Sequence, residues 1–273
     1  MALLLKTVDA TRGPRWIGDA LRLFLRKPMG FAWLFMSFLL ATLLLSLVPV
    51  VGAVLQMMTL PLLSLGFMVA SQSALLDGPI KPAQFIEPLQ GDANKRRSLL
   101  ILCLIYGVLA IAILWLCNVV SDSAMVRLQT LMAKGDSKPA DINALLSEPG
   151  VATAALLGLG LGSLLSVPFW HAAALVHWGA QGVSQALFSS TLAVWRCRGA
   201  LFTYVMAWTG LLLGLGLGVT LVLSLLGLGH LVGVVSLPLG LLLSTVFYVS
   251  LLFTFNDSFG GASPALVESP PAG

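Results

Sequence analysis

Charge is what this chain has least of. Asp, Glu, Lys and Arg together make up 10% of it, where an ordinary soluble domain carries roughly a quarter. A water-exposed globule needs that charge over its surface, so the shortage excludes one. The few charges also lie between the long apolar runs and not within them. Ion-coupled carriers and proton relays hold ionisable groups inside the membrane at functional positions, and so do aspartyl, glutamate-based and zinc intramembrane proteases. Their absence from the runs counts against all of these. Cysteine is equally sparse: Cys103, Cys117 and Cys197 form no CxxC pair. The first two lie about four turns apart on one helix, too far to bridge. Neither a structural disulfide nor a thiolate metal site is expected. No GxSxG and no nucleic-acid motif occurs, so we expect no catalytic residue, no metal, no cofactor and no nucleic-acid partner.

Apolar residues fill the space, at 58% of the chain. They form continuous runs of about 20 residues or more, long enough as helix to cross a ~30 Å hydrocarbon core. Lipid requires every backbone polar group to be satisfied internally, which leaves helices or a closed barrel. A barrel reads as alternating segments of about 10 residues; these runs are twice that length and rich in Leu, Gly and Ala. The expected fold is therefore an all-α integral membrane bundle. Its six spans are Met29–Val48, Val50–Leu76, Ser98–Val120, Val151–Val176, Ala200–Leu226 and Leu231–Phe255. Tight uncharged hairpins join the first pair, at Pro49, and the last pair, at Gly227–His230.

Orientation follows from where the cations fall. Alternate gaps place Lys6, Arg12, Arg15, Arg22, Arg26, Lys27, Lys81, Lys95, Arg96, Arg97, Arg196 and Arg198 on one side. Arg127, Lys134 and Lys138 fall on the other. Twelve against three puts both termini in the cytoplasm. The start, Met1 to Arg15, has only Ala2–Leu5 as an apolar run, far short of a signal-peptide core, so insertion through the first span with nothing cleaved is expected.

Two segments read as amphipathic helices in the headgroup layer. In Trp16–Lys27, Ile17, Leu21, Phe24 and Leu25 share one face, with Asp19, Arg22 and Arg26 opposite. In Gln181–Trp195, Val183, Leu187, Phe188, Leu192 and Trp195 share a side. The alternative is that each merely extends the span after it. Residues 1–28 are thus read as a cytoplasmic N-terminus with one interfacial helix. Residues 29–256 are the transmembrane domain, with an outer insert at 121–150 and the inner interfacial helix at 181–195. The insert is expected to form short helices over Ala124–Ala133 and from Ser137 to Ser147, separated at Gly135. Residues 257–273, with Pro264, Pro270 and Pro271, read as a disordered cytoplasmic tail.

LRLFLRKPMGF before spans one and two parallels LAVWRCRGALF before spans five and six. Each hairpin's second helix then carries a Leu-Pro-Leu step, at Pro61 and Pro238. This suggests a parallel internal repeat, with chance likeness between Leu-rich helices as the alternative.

The stretches GPRWIGDALRLFLRKPMGF, LLLSLVPVVGAVLQMMTLPLLSLGFMVA and HWGAQGVSQALFSSTLAVWRCRGALFTYV resemble a family of uncharacterised proteobacterial multi-span inner-membrane proteins. The likeness runs from about Arg12 to Asn256 and rests on the placement of basic, Pro and Gly residues. It implies a multi-pass inner-membrane protein and carries over no functional residue.

Four groups of residues stand out. Gly210, Gly214 and Gly218, Gly158 and Gly162, and Gly229 and Gly233 are spaced four apart, which lets helix backbones approach closely. Packing within one protomer is the simpler use of them, and dimerisation the other. Arg26, Lys27, Lys95, Arg96, Arg97, Arg196 and Arg198 sit where anionic headgroups would meet them, each worth ~1 kcal/mol there; setting topology alone also explains them. His171 and His177 are six apart, not the i,i+4 of a helical metal pair, and read with Trp170 and Trp178 as an interfacial belt. Pro61, Pro168 and Pro238 should kink their helices, and Gln56, Gln72 and Asn118 suit interhelical hydrogen bonds. The expected role is non-enzymatic: lipid association, membrane assembly, or a scaffold for other membrane proteins or a second copy. The alternative is a transporter or permease subunit for an uncharged or lipid-like substrate.

Overall fold

The structure is a computed structural model and describes residues 4–48, 51–133 and 139–260. These form eleven α-helices, and no strand occurs among the described residues. In order they are α1 (Arg12–Arg26), α2 (Pro28–Ser46), α3 (Val51–Leu75), α4 (Ala93–Val120), α5 (Ala124–Ala133), α6 (Pro139–Leu146), α7 (Pro149–Phe169), α8 (Ala172–Gly179), α9 (Val183–Arg196), α10 (Arg198–Leu225) and α11 (Val232–Phe259). Six segments are long and apolar enough to cross a membrane: Pro28–Ser46, Val51–Leu75, Ala93–Val120, Pro149–Gly179, Arg198–Leu225 and Gly229–Phe259. They match the six expected spans to within a few residues. Pro49 and Val50 of the first hairpin lie outside the described residues, as do Gly135 and Ser137 of the insert.

Local chemistry explains the boundaries. Pro28 and Pro149 begin helices at positions where a missing N–H costs nothing. The Asp92 carboxylate accepts from Asn94 N at 2.8 Å and caps α4. α10 stops at Gly227, whose φ of +72° suits glycine, and Leu228 N reaches back to Leu223 O at 2.7 Å. The α7–α8 break has a specific agent. Val167 O and His171 N would bond each other in an unbroken helix, but Ser190 Oγ inserts between them. It accepts from His171 N at 3.0 Å and donates to Val167 O at 3.3 Å.

Packing concentrates in the half of the bundle nearer the basic helix ends. α3 runs between α4 and α11, and α7 packs on α4. One buried cluster joins α3, α4, α8 and α11 through Met68, Leu102, Leu175 and Phe255. A second joins α1, α2, α3, α10 and α11 through Trp16, Phe31, Phe67 and Tyr204. Phe67 and Tyr248 stack at 5.2 Å, tying α3 to α11. The other half of the bundle is more open: the buried residues of α10 are Ala200, Tyr204 and Trp208, all toward its basic end.

Each of the two short amphipathic helices has a face that packs on the bundle. α1 lies across α10 and α11 and buries Trp16, Ala20, Leu23 and Phe24. Leu21 and Leu25, assigned to its apolar face, point away and are exposed. A Cβ at Gly13 would collide with the Ala200 carbonyl, so glycine lets α1 and α10 touch backbone to backbone. That close approach rotates Trp16 inward, where its N–H finds a carboxylate. α9 presents its small residues Ala186, Ser190 and Ala193 to α7 and α8. Phe188 and Trp195, on the apolar side expected to meet the headgroup layer, are 69% and 68% exposed. Small residues win the buried face because they let the backbones close.

Two further findings concern element order. α11 runs through Asp257 and Ser258 to Phe259, beyond the expected tail boundary at 257, while 261–273 lie outside the described residues. The suspected repeat has a structural counterpart. α1–α2–α3 and α9–α10–α11 each comprise a short helix, a one-residue break (Lys27 or Cys197), a span, and a proline-bearing span.

Candidate functional site

The seven cations singled out in the sequence sit at helix ends on the basic side of the bundle. Two are committed within the chain: Lys27 Nζ donates to Gly78 O at 2.7 Å and Lys95 Nζ to His177 O at 3.1 Å. Arg26, Arg96, Arg97, Arg196 and Arg198 are exposed, and no carboxylate pairs with them among the described residues. The Arg198 guanidinium lies 5.4 Å over the Trp195 ring.

The spaced glycines are not used as expected. A Cβ at Gly158 would meet Cys117 Sγ at 3.2 Å, but at Gly162, Gly210, Gly214, Gly218, Gly229 and Gly233 nothing lies within 4 Å. Packing within one protomer, the simpler expectation, therefore fails for six of the seven. Close approach occurs instead at lone glycines: Gly13 against α10, Gly66 against Phe85, and Gly107 against Met58 of α3. Gly66 and Gly107 sit within apolar helices and Gly13 at the polar start of α1, and neither setting is a strong sign in the sequence.

Sequence reasoning missed the tightest polar cluster. The Asp257 carboxylate accepts from Arg12 Nε at 2.6 Å and from Trp16 Nε1 at 2.7 Å, while Arg12 also pairs with Asp19 at 3.1 Å. Partial burial works against the Arg12 charge, but Asp257 and then Asp19 outweigh it and raise the guanidinium above its ordinary value. The segment before α1 follows the same surface. Lys6 N donates to Ser258 O at 2.8 Å and Thr203 Oγ1 donates to Ala10 O. This clasp joins the N-terminal segment to α10 and α11. The spacing of Arg12 and Trp16 by one helical turn was the available signal; Asp257, read as tail, concealed it.

His171 is buried, edge-on to Phe255 and Phe259 at 5.6 Å each, and His177 lies against Trp178 at 5.3 Å. Among the described residues no group of three or more His, Cys, Asp or Glu is placed to hold a metal. Gln56 Nε2 donates to Thr42 O at 2.6 Å and links α3 to α2, as an amide between spans should.

The cavity with chemical character lies near the middle of the spans. A cleft of about 620 Å³ opens between α7, α10 and α11, walled by Trp170, Tyr204, Trp208, Phe247 and Tyr248 together with Ser163, Ser166, Thr209 and Ser244. A smaller cavity of about 160 Å³ adjoins it and shares Ser166, Trp170, Phe247 and Tyr248. Leu60, Pro61 and Ser64 of α3 and Tyr106 of α4 complete that smaller space. No Asp, Glu, Lys, Arg or His lines either. The Tyr204 hydroxyl is satisfied by Ser250 Oγ at 2.6 Å, which donates in turn to Phe247 O at 2.6 Å. The hydroxyls of Tyr106 and Tyr248 have no hydrogen-bond partner among the described residues. In sequence these aromatics looked like ordinary span residues, because their convergence needs four helices.

No family model matches the chain, and no solved structure matches it. A probable inner membrane protein from Burkholderia thailandensis is 30% identical to it over 266 residues, spanning 96% of each chain. That likeness covers all six spans as well as both short amphipathic helices, and agrees with the architecture found. The chain therefore belongs to this proteobacterial family of multi-pass inner-membrane proteins.

Proposed function

We propose that the protein is a non-enzymatic, lipid-associating component of the membrane that holds an uncharged, lipid-like molecule in the cleft between α7, α10 and α11. One observation carries this reading: an open space of about 620 Å³, walled by five aromatic rings and free of acidic, basic and histidine side chains. A charged ligand at that depth would go uncompensated, whereas an apolar chain exchanges lipid contacts for ring faces at little cost. The test is identification of lipids that stay with the full chain after mild detergent extraction. A retained lipid should be lost when Ser244→Trp fills the cleft, with the melting temperature unchanged. Equal retention in both proteins overturns the reading.

A carrier for the same class of molecule is the second reading, favoured by Pro61, which lines the smaller cavity from within α3. It requires flux in proteoliposomes that Pro61→Ala abolishes. We further propose that both termini lie in the cytoplasm, which the twelve-to-three distribution of cations supports. The native cysteines are buried and should resist an impermeant maleimide. An exposed Gly91→Cys should then react only once the cytoplasmic face is opened, and Ser147→Cys should react without opening. The reverse pattern inverts the topology.

A further inference from the structure

The smaller cavity differs from the cleft it adjoins. It lies among four helices, α3, α4, α7 and α11, and two of its walls are Tyr106 and Tyr248. Both residues are only half-buried, and neither hydroxyl has a partner among the described residues. The neighbouring hydroxyls are already committed: Ser64 Oγ donates to Pro61 O at 2.9 Å and Ser166 Oγ to Ser163 O at 2.7 Å. The cavity wall therefore carries two phenols whose O–H groups have no acceptor among the described residues, in a lining free of charged side chains. A ligand that fits must bring acceptors and no charge.

Depth narrows the class further. Tyr106 lies near the middle of α4, and Pro61 and Tyr248 near the middle of α3 and α11. A glycerolipid keeps its ester carbonyls at the edge of the ~30 Å hydrocarbon layer, about 15 Å from this plane. A lipid whose carbonyls belong to a small flat ring carries them to mid-depth, and a volume of about 160 Å³ flanked by Phe169, Trp170 and Phe247 suits one such ring. The isoprenoid chain attached to it would leave through the larger cleft, which shares Trp170, Phe247 and Tyr248.

We infer that the paired cavities form a binding site for an isoprenoid quinone, its ring between Tyr106 and Tyr248 with their hydroxyls donating to its carbonyls, and its chain in the cleft. This rests on the lipid-associating reading above and names the ligand of the same site. It is a binding assignment and involves no electron transfer by the chain.

Two experiments on the full chain test it. In the first, a benzoquinone with one isoprene unit is titrated against the detergent-purified protein while tryptophan fluorescence is followed, since Trp170 and Trp208 wall the cleft. Saturable quenching is expected, with affinity lowered roughly fivefold by Tyr106→Phe or Tyr248→Phe, the effect of one lost hydrogen bond. An isoprenoid hydrocarbon without carbonyls should compete weakly and bind wild type and both variants alike. Competition needs no variant, so it decides even if a substitution disturbs folding. Quinone affinity unaffected by both substitutions, or a hydrocarbon that competes as well as the quinone, overturns the assignment. In the second, lipid is extracted from protein purified in mild detergent. Quinone retained by wild type and depleted in the double variant supports the site. Glycerolipid alone overturns the quinone while leaving the lipid-associating reading intact, and no retained lipid at all overturns both.

Discussion

The two halves of the bundle solve helix association differently. Near the basic ends, α1 lies across α10 and α11, lone glycines admit neighbouring backbones, and aromatic rings from five helices interdigitate. Toward the other side, α10 carries glycine after glycine and touches almost nothing, with Leu213, Leu217 and Leu221 turned outward. Small residues permit close approach but do not cause it; in lipid, packing and hydrogen bonds must supply the attraction. The basic half has both, through Trp16, Tyr204 and Asp257. The outer half of α10 has neither among the described residues, and the cleft begins where the first kind of packing stops.

Four substitutions test that contrast, each read as the shift in thermal stability of detergent-purified protein. The largest effect is expected at Gly13→Leu, where the new side chain meets the α10 backbone; about 3 kcal/mol should be lost. Asp257→Ala should follow, at about 2 kcal/mol, because it strands Trp16 Nε1 and Arg12, the latter's share reduced by its partial exposure. Raising the Arg12 value keeps its charge fully present at every pH below the ordinary guanidinium value, and that contribution is lost only above it. The clasp should therefore yield to mutation and not to pH changes around neutrality. Ser190→Ala should cost about 1 kcal/mol by removing the hydroxyl inserted between Val167 O and His171 N. Gly214→Leu should be smallest, within about 0.5 kcal/mol, since nothing lies within 4 Å of its added Cβ. A large loss at Gly214 with little at Gly13 would reverse the contrast.

Sequence reasoning reached the spans because their signal is one-dimensional: length, continuity and exclusion of charge are all imposed by the bilayer on each helix separately. It did not say which face of each short helix would meet the bundle. Leu21 and Leu25, on the apolar face expected of an interfacial α1, are exposed, while Trp16, Ala20 and Leu23 turn to the bundle because Gly13 lets the helix seat there. In α9 the large residues Phe188 and Trp195 likewise give way to Ala186, Ser190 and Ala193. In lipid, hydrophobicity does not distinguish a buried face from an exposed one, so the usual guide to orientation is lost. The glycine spacing misled for the same reason, and Asp257 was passed over because its partners lie more than two hundred residues away.

The chain's apolar length and the placement of its fifteen Lys and Arg residues marked, without any fold, six segments fit to cross a membrane. Local spacing is enough for that, since the bilayer judges each segment by itself. Only the tertiary structure decided which glycines touch, that α1 is held by Asp257, and that Tyr106 and Tyr248 meet beside Pro61 in one uncharged cavity. Those outcomes depend on which helix faces meet, and lipid leaves that choice to shape and hydrogen bonding.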